Sequence, residues 1–321
     1  MSANDTTVFF KCQEIHTALP IFELGATEGN KWIRLGLEDE NGLGRGIRTI
    51  LFYQYSDRHS YYLKQSFPLI FNQWGVSYLL KKWSILEPIP FEGRREVLNY
   101  TNLNAEVLTN YAFDVNRHTL ELGIGYTHET YGQQNDEVML MRLQKENVFK
   151  RFLVKGTHFL NFLNYNTFYV EGWSNKFFFQ ASYLANERRP FHFFSNETTF
   201  FKKLPAKGNL ALRGRIGIST NDNVFLAPFV LDNYYNLRGV GNRIDRGTAS
   251  LTFNAEYRQT VWENRNFGIQ LVGFTDAGTW RKPDERIRTP MHWDSSELAG
   301  FTTGDETWEP LQDNVVLAEC S

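Results

Sequence analysis

The sequence predicts an all-β chain, an antiparallel up-and-down transmembrane β-barrel followed by an irregular C-terminal tail. Three observations carry this. Ala249, Leu251, Phe253, Ala255 and Tyr257 share one face of a segment whose other face holds Ser250, Thr252, Asn254, Glu256 and Arg258. One face wants lipid or a core, and the other wants water. Phe, Tyr and Trp number 27, 15 and 8, or 16% of the 321 residues, an excess that fits aromatic girdles at two membrane interfaces. Finally, no stretch reaches the ~18–20 consecutive apolar residues of a spanning helix, and mean hydropathy is −0.42. That excludes a helical membrane protein. It leaves a barrel open, because a strand spans with only ~9–11 residues of which about half are apolar.

Taken in order, Ile33, Leu35 and Leu37 alternate with Trp32, Arg34, Gly36 and Glu38, a strand with a polar inner face that ends in a Gly-rich turn. Further alternating strands follow at Ile47–Tyr53, Tyr61–Gln65 and Trp74–Leu80, linked by polar turns such as Ser56-Asp57-Arg58. Pro88, Pro90 and Gly93 predict a loop, since proline cannot donate to a ladder. Ala105, Val107, Thr109 and Tyr111 then face Leu120, Leu122, Ile124 and Tyr126 across a turn at residues 114–117. Residues 136–150 fit a short helix or an irregular strand equally. Strands recur at 159–165, 177–185, 197–201 and 210–218, a spacing typical of an up-and-down barrel. Charge on a lipid face costs ~2–4 kcal/mol near the midplane, so Glu121, Arg213, Arg215, Glu256 and Asp276 are expected to point inward.

Composition narrows the function. A net charge of −2 with scattered Lys and Arg leaves no basic stripe for phosphates, so nucleic acid is excluded as a partner. Cys12 and Cys320 lie near opposite ends and offer neither a disulfide framework nor metal-ligand spacing. The histidines, among them His118, His128, His158 and His192, lack such spacing too. Neither a metal nor another cofactor is expected. Asp276 has no neighbouring His, Ser or second carboxylate for a dyad or triad, and its flanking glycines suggest close backbone packing, so the chain is expected not to be an enzyme.

Leu237, Arg238, Gly239 and Val240 in a loop, and Gly273, Phe274, Thr275, Asp276, Ala277 and Gly278 on a strand, resemble motifs of the BamA-like superfamily of outer-membrane assembly and secretion barrels, the bacterial surface antigen domains. In that family a lumen-plunging loop carries Val/Leu-Arg-Gly-aromatic, and its arginine pairs with the aspartate of a later Gly/Phe-x-x-Asp-x-Gly strand. The strand motif matches at Gly273, Asp276 and Gly278. Val240 departs from the family, which has an aromatic residue there. Glu256 stands where a second acidic partner is expected. Asn41, Gly42, Leu43, Gly44, Arg45 and Gly46 resemble the turn of the first hairpin. A guanidinium in a partly dehydrated lumen requires carboxylates, because removing one partner of a buried pair costs ~3–5 kcal/mol. The competing reading of Arg238 is a solvated arginine in an Arg-Gly turn.

The resemblance implies residues 1–18 as a lead-in, 19–281 as the barrel and 282–321 as a separate tail. It implies a bacterial outer-membrane location, outer-membrane lipid and client or secreted proteins as partners, and periplasmic domains that this sequence lacks. About three closing strands are absent as well, so the barrel is expected to be incomplete. No basic n-region or cleavage site is found in residues 1–18, which again suggests a fragment. In the tail, Arg288, Thr289, Pro290, Met291, His292, Trp293 and Asp294 resemble a segment of the α-glucosidase and trehalose-synthase branch of the α-amylase family, with His292 in place of Gln. About 35 residues cannot supply the two carboxylates of glycoside cleavage on their own barrel. The rivals are thus an inactive glycoside-hydrolase fragment and a soluble β-sandwich binding module, the latter marked by an apolar face packed on a second sheet.

Overall fold

Period-two alternation commits this chain to strands, and polar turns every dozen or so residues fold them into a meander. The computed structural model describes residues 17–27, 30–71, 73–91, 94–114, 117–133, 146–166, 169–221, 223–231, 237–240, 245–264 and 267–282. Its strands are β1 (Ala18–Thr27), β2 (Asn30–Gly42), β3 (Ile47–Tyr55), β4 (His59–Phe71), β5 (Trp74–Phe91), β6 (Arg94–Asp114), β7 (His118–Gly132) and β8 (Glu146–Asn161). There follow β9 (Asn164–Tyr165), β10 (Val170–Leu184), β11 (Arg189–Leu204), β12 (Gly208–Ser219), β13 (Phe229–Leu231), β14 (Asp245–Gly247), β15 (Ala249–Glu263) and β16 (Gly268–Arg281).

One sheet runs β1 to β8, then β10, β11, β12, β15 and β16, each antiparallel to its neighbours, with β9 beside β10. β13 and β14 pair separately. Among the described residues β1 and β16 end this order and do not pair with each other, so the barrel is not closed. The connections sort by end. Leu43–Gly46, Arg117 and Pro205–Lys207 belong to short turns at one end, while the chain from Thr220 to Thr248 forms a long excursion at the other.

The two faces behave oppositely. On β7, Leu122, Ile124 and Tyr126 are exposed, whereas Thr127, Glu129 and Tyr131 on the alternate face are buried. Leu251, Phe253 and Tyr257 on β15 are likewise exposed. Leu35, Leu37, Leu51, Leu103, Val107, Phe152, Val154, Ile216 and Ile218 continue an apolar outer wall far larger than the patches a soluble monomer shows. The apolar face is therefore not packed on a second sheet, which removes the sandwich reading. Inside, charges are paired across strands: Lys155 with Glu106, Arg151 with Glu129, and both Arg213 and Arg215 with Glu197. Glu121 shares the inner face of Thr127 and Glu129.

Two expectations fail, the loop at Pro88 and the first-hairpin turn. The segment from Pro88 to Phe91 is strand, in register with Arg94–Val97. The reason is an edge: β4 pairs with β5 only as far as Lys82, so beyond it one side of β5 has no strand beside it among the described residues and the missing proline N–H costs little. β1, in which Pro20, Glu23 and Gly25 interrupt the alternation, pairs along its length with β2. Consequently the Asn41–Gly46 turn closes the second hairpin, not the first. Of the ambiguous stretch 136–150, residues 146–150 begin β8, and 136–145 lie outside the described residues.

The Asn41–Gly46 turn has a local cause. Asn41 Oδ1 accepts the Gly46 N–H at 2.5 Å, and Asp39 Oδ1 accepts the Asn41 N–H at 3.0 Å. Gly44 and Gly46 supply positive φ at 67° and 66°, and Leu43, at 57°, joins them in the left-handed region.

Candidate functional site

Arg238 lies in the excursion between β12 and β15, and three neighbouring groups converge on it. Its Nε and Nη2 donate to Asp276 Oδ2 and Oδ1, both at 2.8 Å, a bidentate pairing that fixes the guanidinium plane. Its backbone N–H donates to Asp276 Oδ2 at 2.9 Å. Nη1 donates to Glu256 Oε2 at 2.6 Å. The guanidinium carbon stands 3.7 Å from the centre of the Phe274 ring, close enough for a cation–π contact.

Strand periodicity explains why these partners meet. Phe274 and Asp276 are two residues apart on β16, so both point inward, and Glu256 lies opposite Phe274 in the β15–β16 register. The Asp276 side chain is only 5% exposed, against 36% for Arg238, so the carboxylate is the more deeply committed partner. Glu256 is shared: its Oε1 accepts from Arg258 Nε at 2.5 Å. The two carboxylates hold the Arg238 guanidinium well above the usual arginine value, chiefly through the bond to Asp276. The loop turns away at Gly239, whose φ of 87° belongs to glycine. Leu237 is half-buried beside it.

The glycines of the strand motif differ from expectation. Gly278 is close-packed, since a Cβ there would fall 2.8 Å from the Trp280 ring. Gly273 is not, because it faces outward and a Cβ would meet nothing within 4 Å. Close packing therefore explains one flanking glycine only. Neither Phe274 nor Arg258 is assigned a role at the arginine by the sequence motifs, although both lie two residues from a motif carboxylate, on its face. Phe274 supplies an aromatic surface next to the arginine in a loop whose own expected aromatic position is Val240.

The Asn41–Gly46 turn is at the short-turn end and takes no part in this cluster, and Arg288–Asp294 lies outside the described residues. His118 and His158 do meet, Nε2 to Nε2 at 2.8 Å, on adjacent strands. Among the described residues, however, no group of three or more His, Cys, Asp or Glu side chains is placed to hold a metal. Beside the arginine cluster, Arg213, Arg215, Glu197, Phe229 and Trp280 line a cavity of about 470 Å³. The arrangement holds the Arg238 segment against β15 and β16.

No protein-family model matches the sequence, and no curated protein matches it. Solved structures do resemble it. BamA from Haemophilus ducreyi lacking POTRA domains 1–3 superposes with a TM-score of 0.64 at 14% identity, over 84% of this chain and 59% of that one. CdiB from Escherichia coli gives 0.60 at 14% identity, over 84% of this chain and 53% of that one. At such identity the likeness is one of fold. This chain spans a little more than half the length of either, and its architecture is that of a BamA-like barrel.

Proposed function

We propose that this chain is the barrel of an outer-membrane protein that inserts other proteins into that membrane or carries them across it. On this reading residues 19–281 are the barrel, 1–18 a lead-in and 282–321 a separate tail. The observation that carries it is the convergence of Arg238 on Asp276 and Glu256 inside an apolar-walled antiparallel meander. A soluble fold has no reason to expose such a wall, and a loop tied to the inner face distinguishes the chain from an open pore.

The residues suggest how the parts act together. The arginine binds the last two strands of the described sheet order, β15 through Glu256 and β16 through Asp276. A docked loop thus obstructs the lumen and ties β15 to β16 at once, and an undocked loop relaxes both. No covalent chemistry is needed. Lipid meets the outer wall, and the client is an unfolded chain whose backbone groups need partners on the way into lipid.

The test is reconstitution of the full-length protein in liposomes with an unfolded β-barrel substrate, following its protease-resistant insertion. The reading expects faster insertion than in empty liposomes and a change of rate on Arg238→Ala. Insertion no faster than in protein-free liposomes overturns it.

A further inference from the structure

The excursion that carries Arg238 touches the wall at a second place. Before Arg238 the chain makes one 3-10 turn, Val224–Leu226, in which the Asn223 side chain accepts the Phe225 N–H at 2.9 Å. The turn presents Phe225 and Leu226 to a basin formed by Ile89, Leu98, Tyr131, Phe149, Leu184 and Phe191, from six different strands. The Phe225 ring centre is 5.1 Å from that of Tyr131 and 5.8 Å from that of Phe149.

Polar groups close over this apolar contact. Tyr131 Oη donates to the Phe225 carbonyl at 2.9 Å, and Arg246 Nη1 donates to the same oxygen at 3.2 Å. Arg246 Nη2 meets the Glu87 carboxylate on β5, whose side chain is 2% exposed. Burial pushes the Arg246 guanidinium down, to about 10, which still leaves it cationic at neutral pH beside that carboxylate. Gly247, the next residue, packs against Trp280 and the Arg281 carbonyl on β16. Adjacent residues of β14 therefore reach strands that stand eight places apart in the sheet order, about 38 Å along the sheet. Phe229 adds a third contact, lying flush on the backbone at Gly217.

We propose that the Phe225 basin and the Glu87–Arg246 pair form a second latch of the excursion, separable from the Arg238 anchor, that keeps the base of the excursion seated on the wall when the segment around Arg238 leaves the lumen. The two attachments differ in kind. The Arg238 guanidinium is 36% exposed and open to screening by salt, whereas the Glu87–Arg246 pair is sealed from water by the aromatic cluster. Undocking is thus a two-step event, with the polar anchor free to open first. The latch does not depend on the transport reading, because its test contains no client.

Ala227 follows the 3-10 turn and is 2% exposed, which makes it the reporter. The full chain bearing Cys12→Ser, Cys320→Ser and Ala227→Cys is reconstituted, and the introduced thiol is labelled with a water-soluble maleimide. The expectation is slow labelling that Arg238→Ala changes by less than about threefold, while Glu87→Gln accelerates it about tenfold or more. Tyr131→Phe removes one hydroxyl and accelerates it less, and it carries the test if Glu87→Gln does not fold. If Arg238→Ala exposes the thiol as fully as Glu87→Gln, the latches are one and the proposal fails. It fails equally if neither Glu87→Gln nor Tyr131→Phe changes the rate.

Discussion

Replacing Arg238 by Ala removes both side-chain bonds to Asp276, the bond to Glu256 and the contact with Phe274, but leaves the backbone bond to Asp276 in place. A fully buried pair broken this way costs ~3–5 kcal/mol, and an exposed one ~0–1 kcal/mol. Here the two sides differ, with Asp276 at 5% exposure and the guanidinium at 36%. Glu256 also keeps Arg258 as a partner, so its own loss is small. The structure therefore points to about 2 kcal/mol between docked and undocked loop, roughly 30-fold in their ratio. Planar-bilayer conductance of the reconstituted protein reads that ratio as open against closed time. A double-mutant cycle with Asp276→Asn isolates the pair, with an expected coupling of about 2 kcal/mol. Additive effects, with coupling below about 0.3 kcal/mol, refute the reasoning, for they mean that the two groups do not hold each other.

Arg238→Lys keeps the charge but cannot make the bidentate pairing, so its conductance should fall between wild type and Arg238→Ala, and behaviour like wild type would deny the fork a role. Gly239→Val forces a β-branched residue to a φ of 87° where its Cβ meets nothing, so about 1–2 kcal/mol of backbone strain should favour the undocked loop by the same recording. Ile124→Arg puts charge on the lipid face of β7 and should cost ~2–4 kcal/mol in urea unfolding from vesicles, against less than ~1 kcal/mol for Glu121→Gln on the other face. Equal losses at the two positions would contradict the assignment of faces. Gly217→Leu drives a side chain into the Phe229 ring, at an overpacking cost of about 1–3 kcal/mol, and should speed limited tryptic cleavage after Arg246.

The motif residues of the arginine cluster were legible because two short segments, residues 237–240 and 273–278, resemble a known pairing, and alternation told which residues of β15 and β16 share a face. Phe274 was legible in principle by the same parity. The Phe225 basin was not, since it draws single residues from six strands, and no local pattern separates Ile89 or Leu184 from other apolar residues.

Alone, the sequence determined most strands of the meander and which of their residues share a face, because alternation and turn chemistry act between residues a few positions apart. Only the tertiary structure decided that β1 joins the sheet, that β5 continues through Pro88 and Pro90, and that Arg246 meets Glu87 across 159 positions of sequence. Those outcomes depend on which edge is left unpaired and which side chains face each other across the lumen. Both are set by how far the sheet curls, a property of all the strands together.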